Sequence, residues 1–95
     1  MFVRLTYFLL NPDKTEEGKR IYNEEIAPVI RQQPGNENAM LLEPLNKDDE
    51  FISCTIWKSQ ADTSAFESSA IYREVFGKIK VVTATPPQQK YYTAS

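Results

Sequence analysis

Phe66, Ser69, Tyr72 and Phe76 follow one another at intervals of three and four residues, which places them on one side of a helix. A tyrosine between two phenylalanines has the means to orient a small ligand, or to take its proton, beneath walls that keep water out. The chain contains no histidine, so the commonest general acid/base, which is also the commonest metal ligand, is missing. Ser-His-Asp triads, HExxH zinc sites and haem held by a proximal histidine are thereby excluded. Gly18, Gly35 and Gly77 lie too far apart for a phosphate-cradling loop. Any chemistry must come from tyrosine, carboxylates, lysine, arginine, Cys54 or the ligand itself.

Each candidate has a plainer alternative. Tyr72 shares a side with Phe76, and its hydroxyl either meets a ligand or ends at the surface. Tyr7, mid-strand among apolar neighbours, is the second candidate for a catalytic polar group. Trp57 is either a pocket wall or a core or dimer-interface aromatic whose N–H needs a partner. Phe66 and Phe76 pack the core or line a cavity, and Met40 suits an adaptable wall as well as it suits a core. Arg4 and Arg73 carry the charge to stabilise an oxyanion, although surface ion pairing is the usual lot of arginine. Cys54 alternates into a buried position and reads as an inert small hydrophobe.

Those side chains have to be held by a small frame. Ninety-five residues, 41% apolar and 25% charged, suit a single domain, 1–95, with a limited core. A net charge of -2 with scattered cations leaves no footprint for nucleic acid or an anionic membrane. Asp48-Asp49-Glu50 reads as a solvated turn rather than a metal site. A lone cysteine cannot close an internal disulfide, which points to a reducing, cytoplasmic setting. The run LTYFLL meets Asn11-Pro12 at once and is read as a strand, not a signal peptide. No stretch reaches the roughly 20 apolar residues of a membrane span.

The pattern predicts a strand over 2–10, then a helix opened by a capping box of Asp13 with Glu16. Ile21, Tyr22, Ile26, Val29 and Ile30 form its apolar face, with a bend at Pro28. Strands over 38–45 and 50–58 make an antiparallel hairpin through the polar turn NKDDE. Ser59 with Asp62 starts a second helix, weakened by Ser68-Ser69 and carried by its apolar stripe to about residue 82. A β-branched KIKVV offers the rival of an early last strand; the strand itself is placed at 89–94. The order is βαββαβ, an α+β ferredoxin-like fold with a four-stranded antiparallel sheet.

Two helices cover only one face of such a sheet, yet both faces carry apolar residues. Ile52, Cys54 and Ile56 share one side of the third strand, opposite Phe51 and Trp57; Val3, Leu5, Tyr7 and Leu9 oppose Phe2 and Phe8 in the first. A second copy is the simplest cover, so a homodimer is expected. Tyr91 and Tyr92 on the last strand are expected at that contact.

RQQPGNENAMLLEP, FISCTIWKS and the helix bearing F..S..Y...F together resemble the antibiotic-biosynthesis-monooxygenase superfamily of dimeric α/β barrels. The likeness spans essentially the whole chain, with PGN at 34–36 and IWKS at 56–59 its most specific pieces. It implies sheets packed face to face in a dimer, with a cavity between each sheet and its helices. In the family's oxygenases that cavity holds quinol-like aromatics, oxidised by O2 with no cofactor and no metal. The implied site residues are Tyr72 and Tyr7 for catalysis, with Trp57, Phe66, Phe76, Met40 and Ser69 around a small aromatic molecule. The family's haem-degrading branch has a Trp and a haem-ligating His where this chain has Phe66 and Phe76. It also uses a first-strand Asn that residues 2–10 lack, so haem breakdown is not implied. A non-catalytic small-molecule binder or stress-type protein of the same fold is the alternative, and a purely structural dimerisation module the third.

Overall fold

A computed structural model describes residues 1–95. Strand β1 (Phe2–Phe8) leads through a 3-10 turn at Pro12–Lys14 to helix α1 (Thr15–Ile21). A π-helical turn (Tyr22–Ile26) and helix α2 (Ala27–Arg31) continue it. Strands β2 (Asn36–Leu42) and β3 (Phe51–Trp57), helices α3 (Gln60–Glu67) and α4 (Ala70–Lys80) and strand β4 (Gln88–Thr93) complete the chain. The four strands form one antiparallel sheet in the order β2-β3-β1-β4. This is the expected ferredoxin-like arrangement. No helix is long and apolar enough to cross a membrane.

The departures from expectation have local causes. The capping box at Asp13 does not form. Asn11 precedes the 3-10 turn, and α1 begins at Thr15 with no side-chain cap. Pro28 does more than bend the first helix. Its ring would strike the carbonyl four residues back, and the chain widens ahead of it: Ala27 N–H bonds Tyr22 C=O, five residues away. The second helix is two helices. Ser68 ends α3, and the Ser69 side chain accepts from Tyr72 N–H to start α4. α4 ends at Lys80, so 78–82 begin no strand. Ser59 caps α3 as expected, accepting from Asp62 N–H at 3.2 Å.

The two motif pieces PGN and IWKS touch each other. Gly35 adopts φ 81°, and a Cβ there would collide with the Asp62 carboxyl group. Its carbonyl accepts from Lys58 N–H at 2.9 Å, while the Asn36 amide donates to Ile56 C=O at 3.2 Å. The turn before β2 is thus locked to the end of β3 and the first turn of α3.

Alternation sorts the sheet into two faces. Arg4, Thr6, Phe8, Phe51, Ser53, Thr55 and Trp57 are buried towards the helices. Val3, Leu5, Tyr7, Ile52, Cys54 and Ile56 face the other way and are only half-buried. The core lies wholly between sheet and helices, centred on Tyr22, Ile26, Trp57, Phe66 and Val82.

Candidate functional site

The aromatic residues of α3 and α4 form a ladder that starts on β3. Trp57 and Phe66 ring centres lie 5.1 Å apart, Phe66 and Tyr72 5.3 Å, and Tyr72 and Phe76 6.2 Å. Trp57 is fully buried and its indole N–H donates to Thr55 Oγ1 at 2.9 Å. It therefore supports the ladder from behind. Phe66, Tyr72 and Phe76 come forward to line a cavity between α4 and the sheet.

The cavity has an apolar roof and a polar floor. Phe66, Val75, Phe76 and Ile79 come from α3 and α4, with Ile26 and Ile30 from the first helical segment. Thr6 and Ser53, partners across β1 and β3, put hydroxyls underneath. Its volume is about 60 Å³. That holds a few waters; a closed cavity that binds benzene measures about 150 Å³. One aromatic ring exceeds the space as it stands, and the half-buried Phe76 and Ile79 are walls with room to yield.

Arg4 organises the inner end. Its Nε donates to Glu67 Oε2 at 2.7 Å, Nη1 to Thr6 Oγ1 at 2.9 Å and Nη2 to the Tyr72 hydroxyl at 2.9 Å. The guanidinium carbon also lies 5.2 Å from the centre of the Tyr72 ring. Tyr91 donates to the same Glu67 oxygen, and its hydroxyl is pushed above the usual tyrosine range, first by burial and then by that carboxylate. Because Tyr72 accepts from Arg4, its own hydrogen is free to donate to a ligand. Three of the five guanidinium N–H groups are used, and two remain for an anionic oxygen.

Tyr22 closes the far wall from the π-helical turn. Its hydroxyl is 2.7 Å from Ser53 Oγ and donates to Met40 C=O at 3.3 Å. Burial pushes it up to about 12, against the opposing effect of the Ser53 hydrogen bond, so it stays neutral. No Asp, Glu, His or Cys lines the cavity. No group of three or more such side chains is placed to hold a metal ion.

Of the residues singled out in the sequence, the structure brings Phe66, Tyr72 and Phe76 together at the cavity. Trp57 lies one layer behind them. Ser69 is occupied with its cap, donating to Phe66 C=O at 2.6 Å and accepting from Tyr72 N–H at 3.2 Å. It sets the position of Tyr72 and does not line the cavity. Tyr7 and Met40 sit on the opposite face of the sheet, Met40 paired with Cys54 and Tyr7 under the Lys90 ammonium. Cys54 shares that face, its thiol pushed up by burial. Tyr91, level with Arg4, points to the helices and Tyr92 away from them, so only Tyr92 faces the open side. Glu67, Thr6, Ser53 and Tyr22 were not singled out. Strand alternation from the buried Phe8 back through Thr6 to Arg4 is the signal that finds two of the floor groups.

The profile of a family described as antibiotic biosynthesis monooxygenase matches residues 1–78. A candidate antibiotic biosynthesis monooxygenase from Nitrosomonas europaea superposes with TM-score 0.83 at 22% identity, covering 99% of this chain and 98% of that one. One from Bordetella bronchiseptica gives 0.84 at 16%, covering 99% and 96%. A conserved protein from Methanosarcina mazei gives 0.82 at 14%, covering 100% and 94%. At these identities the likeness is one of fold. No curated protein matches the chain.

Proposed function

The chain belongs to the antibiotic biosynthesis monooxygenase family, and on that premise we propose that it oxidises a small single-ring phenol or quinol with O2, using no cofactor, in the cavity beneath α4. The reading rests chiefly on one observation: Arg4 and Tyr72 meet at the inner end of a cavity roofed by apolar side chains. A phenol oxygen there receives the free Tyr72 hydrogen and the remaining Arg4 N–H groups, which favour its anion. Low polarity around it strengthens those contacts.

The phenolate supplies the electrons. It passes one to O2, giving a phenoxyl radical and superoxide, which combine through a new carbon–oxygen bond to a peroxide anion that takes up the proton released when the phenol ionised. The resulting hydroperoxide loses water to leave a carbonyl. For a hydroquinone the balance is one quinol plus one O2 to one hydroxyquinone plus one water. The protein's part is to hold the ring against Phe66 and Phe76, favour the anion and limit water. Oxygen uptake with a panel of one-ring hydroquinones tests this. No protein-dependent uptake with any member would refute it.

A second reading, binding without chemistry, is favoured by the small volume and the lack of a carboxylate in the cavity lining. Saturable binding of the same quinols with no oxygen uptake is its signature.

We also propose a homodimer closed through the open sheet face. Val3, Leu5, Ile52, Ile56 and Met40 leave half-buried apolar surface there, and Leu42 and Tyr92 are 41% and 49% exposed.

A further inference from the structure

The cavity runs along α4 from Tyr72 to Lys80. They are eight positions apart, about 12 Å along a helix axis. The inner end is electrically balanced, because Arg4 is paired with Glu67. The outer end is not. Lys80 lines the cavity with Thr83, Pro87 and Gln89 and takes part in none of the chain's ion pairs. Its neighbour Lys78, two residues earlier and outside the lining, is paired with Glu25 at 3.6 Å. No carboxylate lines the cavity to offset the Lys80 ammonium, and the Gln89 amide makes no side-chain hydrogen bond within the chain. A slot with an apolar roof and a free cation at its outer end selects a ligand with a negative charge at the matching place.

We infer that the preferred substrate is a one-ring phenol or quinol carrying an anionic side group, with the phenol oxygen at Arg4 and Tyr72 and the side group at Lys80 and Gln89. This rests on the function proposed above. A ring with a short acidic arm carries both groups on one small molecule. A bare hydroquinone brings no negative charge to Lys80.

The test compares 2,5-dihydroxyphenylacetate with methylhydroquinone, by calorimetric Kd and by oxygen uptake. The acid is expected to bind about two- to fivefold more tightly in low salt, the range of a solvent-accessible ion pair, with the preference fading at high salt. Lys80→Met is expected to abolish the preference and Lys80→Glu to reverse it. Lys78→Met, the same charge change on the same helix, keeps it. Equal affinity of the wild type for both compounds overturns the inference while leaving the oxidation reading in place. A preference that survives Lys80→Glu also overturns it. Failure of both compounds to bind or react overturns the two together.

Discussion

Arg4 Nη2 and the Tyr72 hydroxyl, 68 positions apart in sequence, are joined by a 2.9 Å hydrogen bond at the inner end of the cavity. One residue comes from β1 and the other from the first turn of α4, so the contact ties sheet to roof. Arg4→Lys keeps the charge but loses the fork that serves Glu67, Thr6 and Tyr72 at once. Quinol-dependent kcat/KM is expected to fall about 100-fold, the scale of losing one oxyanion donor. Tyr72→Phe should fall comparably, and the double variant little further, since both act on one oxygen. Additive losses in oxygen uptake would mean that the two groups do not share a ligand atom.

Tyr22 makes stability depend on alkaline pH. Its folded value is about 12 and its ordinary value 10.0. The neutral form is favoured on folding, so the contribution is whole below about pH 10 and lost as pH rises through about 12. A shift of that size corresponds to about 2–3 kcal/mol. Urea unfolding at intervals across this alkaline range should show the decline, and Tyr22→Phe should flatten it. An equal slope in the variant would assign the loss to other groups.

Two glycines respond in opposite directions to the same change. Gly35→Ala forces a side chain into positive φ and onto Asp62, which is expected to cost about 2–3 kcal/mol and roughly 10 °C in Tm. Gly77 lies in α4 with nothing within 4 Å of an added Cβ. There alanine should stabilise by about 0.5–1 kcal/mol through helix propensity. Thermal melts of the two variants give the comparison, and a loss at Gly77 would place an unseen contact on that side of α4.

Period-two alternation in β1 and β3 and the helical stripe of α4 were enough to give the element order, because burial on one face imposes both patterns. The site was half legible for the same reason. Phe66, Tyr72 and Phe76 read as one helix face; the break at Ser68-Ser69 puts Phe66 on α3, yet all three still come to the roof. The floor was hidden because polar residues on a buried strand face look like exposed ones: Thr6 and Ser53 carry no apolar signature. Tyr7 has that signature but points to the open face, one residue out of phase with Arg4 and Thr6. Ser69 was visible as a polar residue at helical spacing, yet only the break between α3 and α4 shows that it is a cap. Glu67 could not be paired with Arg4 across 63 positions before the fold was known.

The open sheet face gives the last prediction. Ile56 lies on β3, beside the equally half-buried Val3 of β1. A chain of 10.9 kDa that pairs through this face should show twice that mass by light scattering. Ile56→Glu places one charge from each copy at or near the contact, where desolvation and like-charge repulsion act together. The expected product is a folded monomer, with a far-ultraviolet spectrum close to that of the wild type, because the substituted side chain points away from the core. Arg73→Glu, which puts the same side chain at an exposed position in the helix layer, should leave the mass unchanged. A wild-type mass near 10.9 kDa would show that the open face stands alone in water.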